Sequence, residues 1–487
     1  MDPRTPVIVG AGQVNGGGGS DGPIALAVRA LRLAAEDSGT GERLLRRADS
    51  CRHVATVCWP YTDEAALIAA ELGATPRETV RTSQFGGDGP QRIVSDTARA
   101  IAAGELDVAL VSGAEAVGAL RTAQRAGESP DWPGQPPDAT PTRVIGSDRL
   151  PSNGAETAVG LLAPVYNYAL LESAIQARGG SDRDAHMRAV AELWSRFATV
   201  AARNPHARLQ RKYTADELLT PTADNRPVSL PYTKRMTANI QVDQATGLIL
   251  CSAQAAADAG VPQERWVFVL AGAHASDEWF MSERAGLASS PAINAVGKAA
   301  LGHAGAGIDE VAYIDLYSCF PSAVQIAADE LGLDPAGDRA LTLTGGLTFA
   351  GGPGNNYASH GIATAVAKLR EDPEALGLCT ALGWYATKHA CGIYSGRPGP
   401  RPFGEIDANP LVQRPAPIAA TAEYSGPATV EAFTVPYDRA GEPEAVIVSA
   451  RTPAGERALA RSSDPELIAS FVHEDPLGLE LSLPLGC

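Results

Sequence analysis

The chain has 487 residues, 45% hydrophobic and 20% charged, with 56 acidic against 40 basic side chains and a formal net charge of −16. A chain of this length holds about three ordinary domains and buries a core without disulfide staples. Its acidity argues against nucleic acids and anionic membrane surfaces as partners, because both select basic faces.

In chain order, Thr5 to Val9 is a β-branched run that ends in Gly10-Ala11-Gly12. Beyond the Gly16–Gly19 loop, Pro23 opens a helix with Ile24, Ala27, Val28, Leu31 and Ala34 on one face, stopped by Gly39. His53 to Trp59 reads as a strand and Asp63 to Gly73 as a helix. Thr79 to Thr82 is a strand that meets Gly86-Gly87-Asp88-Gly89-Pro90. A long helix then turns Ile93, Val94, Thr97 and Ile101 inward, and Asp107 to Val111 reads as a buried strand. Residues 121–160 are rich in Pro, Gly and Asp and read as loop, least structured from Asp131 to Pro141, whereas 155–235 read as polar helices closed by Pro227 and Pro231.

From Ala245 to Ala257 the core pattern returns, and Trp266 to Ala271 is a strand. The opening order then repeats: a helix from Ile293 to Leu301, a strand from Val311 to Leu316, a helix from Ala323 to Gly332 and a strand from Leu341 to Thr344. Gly351-Gly352-Pro353-Gly354 follows, then a helix over 357–369 and strands at Leu378 to Leu382 and Ala390 to Tyr394. GGDG at 86–89 matches GGPG at 351–354, and Pro23 matches Pro291. Two copies of a β-α-β-α-β unit are thus expected, in α/β layers. The organisation is an N-terminal half over 1–120 completed by 236–270, an insertion over 121–235, a C-terminal half over 271–400 and a linker over 401–417. Residues 418–487 carry short β-like runs at hairpin spacing and read as a small all-β domain.

The seven cysteines, at positions 51, 58, 251, 319, 379, 391 and 487, form no C-x-x-C pair, so no metal site is expected and a reducing cytoplasm fits them. The N-terminus lacks a signal-peptide core, and no apolar run reaches the roughly 18 residues of a membrane span. VGAGQ lacks the third glycine of a dinucleotide fingerprint.

VIVGAGQ near the N-terminus, GELDVALVSGAEAV at 104–117, IDLYSCFPSAVQIAADELGL at 314–333 and TGGLTFAGGPGNN at 344–356 together resemble the thiolase superfamily. Cys319-Phe320 and the β-rich extension resemble the type-1 thiolase-like proteins related to sterol-carrier-protein-linked thiolases. The resemblance implies a thiolase fold, with two duplicated βαβαβ halves in α-β-α-β-α layers, plus a small barrel-like or OB-like C-terminal domain. It implies that 121–235 is a loop domain covering coenzyme A. Coenzyme A or acyl-CoA is then substrate or ligand, with no tightly bound cofactor. Thiolases pair through the edge strand that matches Thr79-Val80-Arg81-Thr82; a charge there discourages pairing, so a monomer or weak dimer is expected.

A thiolase holds the acyl group on a Cys, activates it with a His, moves a proton with a second Cys and forms an oxyanion hole with an Asn or His. Carried over residue by residue, the nucleophile position is Gly87, the loop His is Gly352, the Asn or His is Tyr317 and the second Cys is Leu382. All four have changed, so acetyl-CoA acetyltransferase-like chemistry is expected to be weak or absent. Chemistry remains conceivable at four features. Tyr317 can donate a hydrogen bond or act as a general acid. Cys319 lies just beyond a strand end, where α/β sheets place sites. Lys388-His389 replaces part of the C-x-G loop and offers a base or an anion contact. Gly86, Gly87, Gly351 and Gly352 precede helices, where backbone N–H groups suit an oxyanion. Each also has a plain structural reading, as core or turn. Arg188, Arg196, Arg203, Arg208, Arg211, Lys212, Lys234 and Arg235 either meet the nucleotide's phosphates or form balanced helix surface.

Three functions follow. One is an acyl-CoA-binding protein of lipid metabolism. A second is a carbon–carbon lyase or other acyltransferase working through Tyr317, its tail standing in for the OB-like partner of thiolase-like aldolases. The third is a non-catalytic interaction protein that binds a protein through the C-terminal domain.

Overall fold

A computed structural model describes residues 1–16 and 19–485, so Gly17, Gly18 and Gly486, and the thiol of Cys487, lie outside the described residues. Two sheets share one plan. In the N-terminal sheet the strands run in the order Arg143–Ile145, Glu78–Thr82, Ser50–Val54, Val108–Ala116, Asp243–Ser252, Pro6–Gly16. In the C-terminal sheet the order is Val311–Asp315, Leu376–Gly383, Lys388–Ser395, Val267–Ser276. The N-terminal sheet runs through three parallel pairs and then two antiparallel ones, and the C-terminal sheet through one parallel pair and then two antiparallel ones. The sheets join where Val7 and Ile8 pair with Phe268 and Val267. The duplication read from the sequence is therefore the architecture.

Helices Gly89–Ala102 and Tyr357–Glu371 start at the two Gly-rich turns and touch strands of both halves. Their Ile93, Val94, Ile362 and Val366 meet Ile8, Leu248, Val267 and Val269 in a core between the sheets. Helices Pro23–Ser38 and Pro291–Ala304 cover the outer faces. The GAG of VIVGAGQ is the seat for the first of these. A Cβ on Gly10 would stand 2.1 Å from the carbonyl oxygen of Ala34, and one on Gly12 2.1 Å from that of Ala30. Larger residues there would push the helix off the sheet.

Side chains intercept the backbone at two places where an expected strand is shortened or missing. The strand over Ser50–Val54 stops short of Trp59 because the amides of Ala55, Thr56 and Val57 donate to Thr82 Oγ1, Glu64 Oε1 and Glu115 Oε1. Leu341 to Thr344 forms no strand, since Asp315 Oδ1 takes the amides of Leu343 and Thr344.

The stretch expected to be least structured drapes over the N-terminal half. Trp132 meets Trp59 edge-on at 4.8 Å, and Gln135 Oε1 accepts from the amides of Thr62 and Asp63. Arg143–Ile145 then pairs in parallel with Val80–Thr82. The sheet edge is thus closed by the chain's own hydrogen bonds. Arg81 plays a different part from the one its charge suggested: it is buried and paired with Glu64 at 2.8 Å.

The C-terminal unit is a five-stranded sheet ordered Ala420–Thr421, Arg457–Ser462, Val446–Arg451, Gly426–Thr434, Glu480–Leu483. Among the described residues no ladder joins its first and last strands, so the barrel-like form is corrected to an open sheet. Nor is the unit all-β: Asp464 caps the helix Pro465–His473, whose Ile468 and Phe471 pack on the sheet. Part of the expected linker, Gly404–Asp407, adds a strand parallel to Val267–Ser276.

The edge cap depends on Asp96. It accepts from Arg143 at 2.8 and 2.6 Å and from the fully buried Arg52 at 2.5 Å. Burial pushes its carboxyl up, but the hydrogen bonds and charges of Arg143 and Arg52 prevail and hold it at about 2, below 3.8. A depressed carboxyl contributes stability above its unfolded value and loses it as pH falls through the folded one. Pepsin cleavage within 128–142 should therefore rise as pH drops from 3.8 towards about 2. Asp96→Asn should show the same release to a neutral protease at pH 7; unchanged cleavage in that variant would count against the assignment.

Candidate functional site

A cleft of about 410 Å³ opens where the two Gly-rich turns meet. Gly87, Gly352, Tyr317 and Leu382, the four positions matched to thiolase functional groups, all line it, together with Gly86 and Cys319. Residues from both halves are held there by two asparagines. Asn355 Oδ1 accepts from the amide of Gly86 at 2.8 Å, while its Nδ2 donates to the carbonyls of Ala55 and Gln84. Asn356 Nδ2 donates to the carbonyl of Gly113 at 2.8 Å. The sequence reading passed over both; the Asn-Asn doublet directly after GGPG, at a helix start, was the available signal.

Tyr317 is the centre of the floor. Its amide donates to Thr380 Oγ1 at 2.8 Å and its ring meets Tyr357 edge-on at 5.5 Å. A Cβ at Gly87 would lie 2.3 Å from the Tyr317 hydroxyl and 2.5 Å from the carbonyl oxygen of Leu382. The phenol therefore fills the space a side chain at 87 would need. That hydroxyl makes no hydrogen bond among the described residues, where Tyr317 bonds only through its amide. Burial pushes its pKa well above the usual tyrosine range, so it acts at neutral pH as an O–H donor.

Cys319 borders the same space, but burial pushes its thiol up to about 12. A protonated thiol is a poor nucleophile. The expected oxyanion donors divide. The amide of Gly86 is taken by Asn355 and that of Gly352 by the carbonyl of Asn239 at 2.9 Å. The amide of Gly87 has no acceptor among the described residues. Gly351 lies behind the lining, with Gln244 Oε1 only 2.3 Å from where its Cβ would be.

Lys388 and His389 are not a solvated turn. Both lie in the buried strand Lys388–Ser395 and neither lines the cleft. Lys388 Nζ donates to the carbonyl of Phe85 at 2.9 Å and sits 3.2 Å from Asp88, bracing the GGDG turn from behind. His389 Nε2 lies 3.1 Å from Asp277 Oδ2 and 3.1 Å from the carbonyl of Ala386. Burial would raise the Asp277 carboxyl, but the His389 hydrogen bond and charge hold it below the usual range.

Between the floor and this strand runs a strained turn. Trp384 and Ala386 have φ of 57° and 52°, in the left-handed region that non-glycine residues avoid. The Tyr168 hydroxyl clamps both, donating to the Trp384 carbonyl at 2.9 Å and accepting from the Ala386 amide at 3.0 Å. Trp384 thereby reaches over the cleft, 5.4 Å from the Phe85 ring.

Among the described residues no Asp, Glu, His, Lys or Arg lines the cleft. Cations lie further out, on the insertion. Arg188 and Arg211 pair with Asp216 and Glu217, and Arg196 donates to the carbonyl of Pro335. Arg203, Arg208, Lys212, Lys234 and Arg235 have no carboxylate partner among the described residues. Arg211 and Arg235 lie over the Tyr213 ring at 4.6 and 5.0 Å. Arg235 stands two residues before Thr237, which lines the cleft.

Two halves of this topology, with a cleft where their Gly-rich turns meet, define a protein of the thiolase fold. Across 99% of its length this chain is 34% identical to a monomeric SCP2-thiolase like protein type 1 from Mycobacterium smegmatis, 97% of which is covered, with a TM-score of 0.85. Residues 408–483 match the thiolase-like protein type 1 additional C-terminal domain. The chain belongs to the SCP2-thiolase-like protein type 1 family. Fold alone is shared with an Ltp2-ChsH2(DUF35) aldolase, at 18% identity over 82% of this chain and 99% of that one, with a TM-score of 0.63. The same holds for an acetyl-CoA acetyltransferase from Syntrophomonas wolfei, at 16% identity over 81% of this chain and 99% of that one, with a TM-score of 0.54. No curated protein matches. Among the described residues no helix is long and apolar enough to cross a membrane.

Gly87→Cys should cost about 1–3 kcal/mol in urea denaturation, the usual penalty of overpacking. In a double-mutant cycle with Tyr317→Ala the two losses should sum to more than the loss in the double variant; strict additivity would contradict the contact. Cys319 should resist iodoacetamide at pH 8 in the folded protein and react on unfolding. Peptide mapping reads this directly, and rapid labelling of the folded form would show the thiol to be accessible and ionised.

Proposed function

We propose that this chain binds an acyl-CoA and seats its acyl carbonyl on the cleft floor without forming a covalent acyl-enzyme. The observation that carries the reading is the pairing of two free donors, the Gly87 amide and the Tyr317 hydroxyl, in a cleft without charged side chains. A carbonyl oxygen satisfies both, and a charged group there would face an unpaid desolvation cost. Val165, Ile240 and Leu347 give the acyl group apolar walls. Arg235 and its unpaired neighbours suit the phosphates at the outer end.

Thiolase chemistry is then weak or absent. It needs a thiolate and a base, and the nearest thiol is held protonated. The fold shared with an acetyl-CoA acetyltransferase supports the ligand class. A monomer is the expected state, supported by the capped edge strand and by the monomeric relative from Mycobacterium smegmatis. A cytoplasmic place in lipid metabolism belongs to the same reading.

The Tyr317 hydroxyl also favours a second reading, a carbon–carbon lyase. When a β-hydroxyacyl-CoA is cleaved, the Cα–Cβ bond breaks, the β-hydroxyl becomes a carbonyl and gives its proton to water, and the phenol protonates the enolate at Cα and is restored from water. The aldolase among the structural neighbours supports this reading.

Calorimetric titration with CoA, acetyl-CoA and decanoyl-CoA tests the first reading. Micromolar binding is expected, tighter for the acylated forms, with Arg235→Glu weakening all three. Absence of binding, or robust thiolysis by the pure protein, would overturn it. For the lyase, Tyr317→Phe should abolish cleavage of a β-hydroxyacyl-CoA while leaving its binding within a few-fold.

A further inference from the structure

The C-terminal sheet has no free face. Ala432, Ile447 and Leu459 join the main core, while Ala428, Val430, Phe433 and Val446 are covered by the helix Pro465–His473. What it does instead is visible in its contacts with the cleft walls.

On one wall, Val228 lies in the short hairpin of Pro227–Ser229 and Tyr232–Thr233. The outer edge of that hairpin is paired by the C-terminal domain. Leu230 N donates to the Val435 carbonyl at 2.9 Å and Tyr437 N to the Val228 carbonyl at 3.0 Å. Thr434 Oγ1 donates to the Leu230 carbonyl at 2.8 Å and lies 2.7 Å from Ser229 Oγ. On another wall, buried Arg457 donates to the carbonyls of Ser282 and Arg284 at 2.6 and 2.7 Å. Arg284 in turn donates to Thr387 Oγ1 at 2.9 Å, in the strained turn that carries Trp384 and Tyr385 into the cleft. A third tie runs from Phe433 N to Ser173 Oγ at 2.8 Å, on the helix Pro164–Gly179 whose Val165 and Tyr168 are lining residues.

We infer that the C-terminal domain is a positioning element for the cleft, gripping the hairpin and the strained turn together and so fixing the distance between them. The inference holds whatever the cleft binds. Thr434, Ser229 and Arg457 are its positioning residues. A paired hairpin edge and a bridged turn cannot open independently, because each opening strands backbone carbonyls or amides without partners.

Hydrogen exchange read by mass spectrometry on the full-length, ligand-free chain tests this. Ser229→Ala with Thr434→Val removes the side-chain bonds at the hairpin and leaves the main-chain pairing. Exchange within 235–240 should accelerate about tenfold, with none at the core strand 245–252. Arg457→Leu should accelerate 383–388 by a similar factor; if that variant does not fold, the first decides alone. Acceleration confined to 229–230 and 434–437, or spread equally to 245–252, would overturn the inference.

Discussion

Asn355 is the contact on which the cleft depends. One amide side chain accepts from the Gly86 backbone and donates to two carbonyls of the N-terminal half, while its own backbone opens the central helix of the other half. All three hydrogen bonds of its side chain among the described residues cross the duplication. The Gly-rich turns can approach each other only because these bonds replace the water that each turn would otherwise hold. The floor then belongs to neither half: Gly87 comes from one, and Tyr317 and Leu382 from the other.

The cleft that results is neutral, although charged residues stand immediately behind it. Lys388 and Asp88 brace one turn from within, and His389 and Asp277 brace the next. Charge here supports the walls and is spent inside the scaffold. Among the described residues, hydroxyl, thiol, amide and apolar groups line the space, and the charged pairs stay behind it.

Much of this was legible in the sequence, for physical reasons that differ from place to place. The duplication showed because glycine turns and apolar runs recur where close helix–sheet packing demands them, as at Gly10 and Gly12. Gly87, Gly352 and Tyr317 could be placed because motifs order them along the chain. The sides of the strand at 388–395 could not be, since one residue of register decides which face a side chain takes. The ending of the strand at Val54 and the lack of one over 341–344 were hidden because distant carboxylates, Glu64, Glu115 and Asp315, take the amides. The helix Pro465–His473 was missed although Asp464-Pro465 is a helix-start signal. Arg143–Ile145 is only three residues long, too short to show a period.

The occupation of one half's vacant side-chain space by a tyrosine from the other has a consequence for how such a protein can change. Gly87 and Tyr317 are 230 residues apart in sequence yet share one volume. A cysteine arriving at 87 first meets the phenol, and a smaller residue arriving at 317 first leaves a hole. Each single step lowers stability, so a side chain at 87 is accommodated without that loss only when position 317 changes with it.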